Sequence, residues 1–532
     1  GLPIEPRLMI DRADAIWEIP DRRAEALVAY ESFLTAYPLS PLLPQALSMA
    51  ALGQLEMKKP ELAIERADTF LKQFASDKLA VDVGRIRAEA FFAKGDFQGA
   101  VTAYASLSAA HPAAPQRSTW MLRQAAALVT FKQWKEAHEV LVQAIPGLTG
   151  DDVGEAMLLD ASSLLELGKP KEAALLAEAI VTKMPAWSRA DESLLLAIRA
   201  SRQAGDDAAA MVLAERMVAT RPDGPRADTA WYRVGELRQK AGKLDAAIEA
   251  FARSQKAKPN GPRVPWALLA TGWAHDTAGR PADAIKAWSE LIDSYSTSEA
   301  MAEALRARGD ARQRTGDFKG GLLDARKALE LPMEDQSKLE TRFLESLCLI
   351  GDGQSQVAVP LLEKLVLDGQ NFAALDRVLS ELAWAQKAIG KTAEAAATRK
   401  QLLERFPKSS RAAEAWFETG EAAWEEKSWD TAAAAYTAAI ASPDSAAIAN
   451  QARHKFAWTS VMRKDYAAAA KGFQSQLTAA PKGPLAADAR CMLGESLFKT
   501  GAYAPAEVAF REAIAEEKQL SSDDLRALSL VR

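Results

Sequence analysis

This chain is short of the residues that carry metal and redox chemistry. It has 4 histidines and 2 cysteines in 532 residues. His111, His138, His275 and His454 lie far apart in the chain, and a metal site needs several such ligands converging on one point. No metal and no other cofactor is therefore expected. Cys348 and Cys491 fall four repeats apart in the register described below. Packed helices lie about 8–10 Å apart, and a disulfide needs Cα atoms within about 7 Å, so no internal bridge is expected. Two lone thiols leave the compartment open. An excess of positive charge is also missing. The net charge is -5, which excludes the basic footprint of a nucleic-acid binder. No apolar run approaches the roughly 18–20 residues that span a membrane, so membrane insertion is not expected. The start, Gly1-Leu-Pro-Ile-Glu-Pro, shows no initiator Met and no signal segment, and reads as a processed or a cut terminus.

Catalytic motifs are absent as well. There is no Gly-x-Ser-x-Gly elbow and no Cys-x-x-Cys. His138-Glu139 starts like a zinc-protease helix, but the second histidine does not follow. Gly390-Lys-Thr392 resembles the tail of a phosphate loop, yet Ala385 stands where its first glycine belongs, and no strand precedes it. Carboxylates are plentiful but spread over solvated faces, with no dominant acid pair. The chain reads as non-enzymatic.

What is present is a repeat. Length alone would suggest three or four globular domains, but periodicity takes precedence over that prior. A small residue recurs every 37 residues, with one step of 36, from Ala26 through Ala63, Ala100, Ala137, Ala173, Ala210, Ala247, Ala284, Gly321, Ala358, Ala395, Ala432 and Ala469 to Ala506. Four further columns keep phase with this marker. Twelve residues before it stands a small residue, as in Ala51, Gly235, Gly420 and Gly494. Four after it stands a ring in Tyr30, Tyr104, Phe251, Trp288, Tyr436, Phe473 and Phe510. Twelve after it falls a helix-ending proline such as Pro38, Pro259 or Pro407. A glycine, such as Gly95, Gly242 or Gly390, marks the turn between two helices. Each helix carries one apolar stripe. A single pair cannot bury its stripe, so pairs must stack into a continuous all-α core.

The segment Trp231-Tyr-Arg-Val-Gly235, then Ala247, Phe251 and Pro259, resembles the signature of the tetratricopeptide repeat. Gly235 permits close approach of the two helices, Ala247 is the small partner, Phe251 fills the groove between them, and Pro259 stops the second helix. The resemblance implies a right-handed superhelical α-solenoid of about fourteen helix pairs over 1–520. The stretch 521–532 would be the first helix of a cut-off fifteenth repeat, because Ser521-Ser-Asp-Asp-Leu reads as an N-cap with an acidic first turn. A continuation of the natural protein is expected from that. The lengthened repeat has a "Pro-x-Ser, then Ala-x-Ala" join, similar to that of bacterial envelope tetratricopeptide proteins, and leans toward the periplasm or cell envelope over the cytoplasm.

The same resemblance places the first helices along an inner groove that binds other proteins or peptide segments. Its face should lie 18, 15, 11 and 8 residues before each marker, about 130° round the helix from the core stripe. Those positions supply Arg306, with Arg314 adjacent, and a series of rings: Trp266, Trp273, Trp384, Phe417, Trp424, Trp458 and Phe498, with His454 beside them. Trp273, Trp384 and Trp458 share one column and are expected to anchor a peptide; the alternative is that they fill gaps between successive helices. No full unit has asparagine 11 before its marker, which disfavours a peptide-C-terminus clamp of the chaperone-adaptor type. Two other functions remain open at this level: the recognition arm of a larger enzyme, and a self-assembling module stacking through uncapped ends. Pro360 falls inside an expected second helix, where either a bent or late-starting helix or a proline tolerated in the helix's first turn is expected.

Overall fold

The computed structural model describes residues 4–443 and 445–532. Among them are 29 α-helices and no strand. In chain order they alternate as the first and second helices of fourteen repeats, with one further helix, Asp523–Val531, and the thirteen repeats that lie within one unit are packed helix pairs. The seventh pair, Ala227–Lys240 and Leu244–Ala257, and the eleventh, Leu375–Ala388 and Thr392–Arg405, show the common plan. Each second helix begins three residues before the marker, and a tight turn precedes it. The chain divides into two compact units, Gly1–Ala274 and His275–Arg532. The largest apolar cluster of the first is built around Leu194, Met217 and Val234. That of the second is built around Leu362, Leu379 and Leu402.

The columns of the sequence become the core. Marker alanines are buried throughout, and the seven rings four residues beyond them are at most 3% exposed. The glycine twelve before the marker is the counterpart of the ring. A Cβ on Gly235 would stand 2.4 Å from Phe251, and one on Gly420 would stand 2.5 Å from Tyr436. Two buried tyrosines of the ring column find carboxylates: Tyr30 donates to Asp14 at 2.6 Å and Tyr436 to Glu421 at 2.5 Å.

The turns are decided by backbone conformation. Gly242 has φ +74° and Gly390 φ +80°, a region open to glycine at little cost. In four pairs a lysine takes the same place at positive φ: Lys58, Lys132, Lys427 and Lys464. Several second helices then start on an aspartate cap. Asp96, Asp206, Asp317 and Asp465 each accept a hydrogen bond from the amide three residues on, which satisfies a helix-end donor.

Pro360 does not delay its helix. The segment Ser355–Asp368 is helical with Pro360 inside it and starts in the same register as its neighbours. Pro360 and Gln356 are both exposed, so the Gln356 carbonyl that a proline leaves unbonded faces water. At the other end, Ser522 caps Asp523–Val531 through the Leu525 amide. That helix packs on Ala486–Lys499, where Ser529 meets Cys491 at 3.0 Å and Arg532 meets Glu495 at 2.9 Å.

Candidate peptide-binding site

The structure treats the expected groove residues very unequally. Both arginines are neutralised by the chain itself. Arg306 pairs with Glu303 at 2.6 Å and Glu340 at 3.4 Å. Arg314 pairs with Asp276 at 2.7 Å and Asp310 at 3.0 Å. Most of the rings are engaged in packing. Phe417 lies 5.7 Å from Tyr436. Trp424 meets Trp429 edge-on at 5.1 Å and carries the Lys455 ammonium over its face. Phe498 meets Tyr503 at 5.3 Å and lies beneath the Arg532 guanidinium. Trp266 and Trp273 are part-buried on the helix Val264–Thr277. Of the register residues, Trp231 packs against the first unit's main cluster with Arg253 over its face.

His454 and Trp458 turn inward. His454 is 9% exposed and its Nδ1 lies 3.1 Å from Gln476 Oε1. The Trp458 indole N–H donates to His454 Nε2 at 3.0 Å, and its ring meets Phe473 edge-on. Nε2 is thus the unprotonated nitrogen and Nδ1–H the donor to Gln476. Burial pushes the His454 pKa below the ordinary histidine value, so the ring is neutral at pH 7. The Trp458 N–H is thus spent within the chain. The cause is local: Gln476, on the next helix, offers a partner that draws the imidazole into the core.

Trp384 is the exception. It is 54% exposed on the helix Leu375–Ala388. Beside it opens a cavity of about 390 Å³ between that helix, Thr392–Arg405 and Ala412–Glu425. Ser380, Trp384 and Lys387, three of the four expected face positions of the eleventh pair, line it. Arg399, Glu414 and Glu418 complete its polar lining, and Lys387 is bonded to Glu418. The volume lies within the roughly 300–1,000 Å³ typical of ligand sites. Such a lining of one open indole, aliphatic walls and convergent charged groups can hold a side chain of an extended segment and orient it by hydrogen bonds.

The expected face positions omitted Arg399, because it sits on the second helix. A signal was nevertheless present. It stands four residues after the marker Ala395, in the column where a ring or aliphatic side chain is the rule. It is 8% exposed, and its Nε has no hydrogen-bond partner. Burial lowers its pKa from the ordinary arginine value, with the charge of Glu418 opposing the shift. Among the described residues no group of three His, Cys, Asp or Glu side chains could hold a metal ion, and no helix is long and apolar enough to cross a membrane.

Comparison with known proteins agrees with this architecture. The family model described as "Tetratricopeptide repeat" matches residues 48–116, 205–262, 269–335 and 380–446. No curated protein matches the chain. Solved structures that resemble it include the MamA protein, at 23% identity over 35% of this chain and 94% of that one, with a TM-score of 0.30. A tetratricopeptide repeat protein from Parabacteroides merdae is 17% identical over 51% of this chain and 98% of that one, with a TM-score of 0.36. PilW, described as a type IV pilus biogenesis factor, is 19% identical over 40% of this chain and 91% of that one, with a TM-score of 0.34. With the repeat register, the recurring helix pairs and the four matched regions in agreement, the chain belongs to the tetratricopeptide repeat superfamily.

Proposed function

We propose that this chain is a non-catalytic scaffold that binds extended segments of other proteins on the face of its first helices, with the cavity beside Trp384 as an anchoring point. Tetratricopeptide proteins typically bind other proteins and typically lack catalysis, and the coarse reading follows from the family. The exposure of Trp384 carries the finer one. The neighbouring rings Phe417, Trp424 and Phe498 meet rings or cations of their own chain, whereas Trp384 stands more than half open above a cavity. A large amphipathic ring held on a helix contributes contact area at low entropic cost. Preformed helices add little ordering cost on binding.

The test is selection of random linear peptides displayed against the intact chain, followed by titration of the selected peptides against wild type and Trp384→Ala. Peptides should be enriched on the wild type, and Trp384→Ala should weaken them with helicity unchanged by circular dichroism. Enrichment of no peptide, or equal binding by the variant, would refute the proposal.

A further inference from the structure

In thirteen of the fourteen pairs, the residue four positions after the marker is a ring, a leucine or an alanine. These side chains close the space between the two helices. The eleventh pair alone puts a charge there, Arg399, and Arg399 lines the cavity beside Trp384. An arginine in such a place needs a carboxylate. The other buried arginine among the described residues has one. Arg308, 9% exposed, gives Nε and Nη2 to Asp324 at 2.9 and 2.7 Å and Nη1 to Ser289 at 2.9 Å. Arg399 is as deeply buried and has no such partner for its Nε. Glu418, whose charge acts on it, is held by Lys387. A desolvated guanidinium without a bonded anion is costly, and local rules are broken in this way where a site needs the broken rule.

The chemistry of the walls selects the ligand. A guanidinium fork matches a carboxylate with two parallel hydrogen bonds. Glu414 and Glu418 line the same cavity and would repel a dianionic phosphate more strongly than a singly charged carboxylate. The open indole of Trp384 borders the same space and can cover the aliphatic part of the bound residue. We infer that Arg399 and Trp384 form a subsite for a carboxylate-bearing residue of a bound peptide. The inference rests on the peptide-binding reading above.

The experiment titrates the intact chain with peptides obtained by display on it. Each peptide is synthesised with its acidic side chains intact or changed to the amides, and with its C-terminus free or amidated. Wild type should bind the carboxylate form about tenfold or more tightly, as a charge-assisted pair in a desolvated pocket implies. Loss on side-chain amidation assigns the carboxylate to Asp or Glu, and loss on terminal amidation assigns it to the chain end; either supports the subsite. Arg399→Leu should abolish the preference while melting no lower than wild type, since leucine occupies the same position in the tenth pair as Leu362. If wild type binds acidic and amidated peptides alike while Trp384→Ala still weakens both, the subsite is refuted and peptide binding stands. If no peptide binds, both fall. An Arg399→Leu variant that melts lower and keeps the acid preference shows that Arg399 is structural and overturns the inference.

Discussion

Trp384 and Trp458 occupy one column of the repeat, yet their replacement by alanine should have opposite consequences. Trp458 donates to His454 Nε2 at 3.0 Å and meets Phe473 with ring centroids 6.3 Å apart at 88°. Its removal leaves the buried His454 Nε2 acceptor unsatisfied, at about 1–3 kcal/mol. It also deletes an aromatic pair of about 0.5–1.5 kcal/mol. Together these come to about 1.5–4.5 kcal/mol, overlapping the range of about 3–5 kcal/mol known for truncating a buried tryptophan. Trp384, at 54% exposure, has roughly half its surface to lose, which at about 25 cal/mol per Å² limits the cost to about 2 kcal/mol. Stacked repeats open locally, so the suitable assay is amide hydrogen exchange read helix by helix. Trp458→Ala should deprotect Ala446–Met462, while Trp384→Ala should leave Leu375–Ala388 close to wild type and impair peptide binding. If Trp458→Ala keeps its protection and instead abolishes binding, the inward reading of the His454–Trp458 pair is refuted.

Acid should weaken the same region. His454 is buried neutral with its pKa lowered by desolvation, so the unfolded chain binds a proton more readily than the folded one. The stability is present above the unfolded value of about 6.5 and is lost as pH falls through and below it; His454→Gln should flatten this dependence in pH-resolved denaturant melts. Burial pushes the Cys348 thiol up to about 12 and raises that of Cys491 as well, so neither should react with iodoacetamide at pH 8 until denaturant is added, as mass spectrometry would show. Gly420→Ala would drive a Cβ to within 2.5 Å of the buried Tyr436 ring and should destabilise the twelfth pair by about 1–3 kcal/mol, measured as a fall in melting temperature. Lys427→Gly relieves a non-glycine residue at φ 59° and should stabilise by up to about 1 kcal/mol, with a rise in the same melt.

The period, the helix pairs, the turn positions and the buried columns could be read along the chain, because each depends on residues within one unit. Gly235 against Phe251 is such a case: twelve residues before the marker and four after it meet across one helix pair. The late start considered at Pro360 does not occur, for a reason outside that pattern: Gln356 lies on the solvent face. Partnership was equally out of reach. Arg314 is paired by Asp276 of the preceding helix pair, Arg306 by Glu340 of the following one, and Trp458 by a histidine that Gln476 of the next helix draws inward. Arg399 stands between the two cases. Its charge in an apolar column was written in the sequence, while the lack of a partner for its Nε and the cavity beside it emerged only when three helices came together. The sequence by itself determined which residues share a column, because a column is a matter of spacing. Only the tertiary structure decided which members of a column remain open to a partner, because exposure and ion pairing depend on what neighbouring helices bring to the same place.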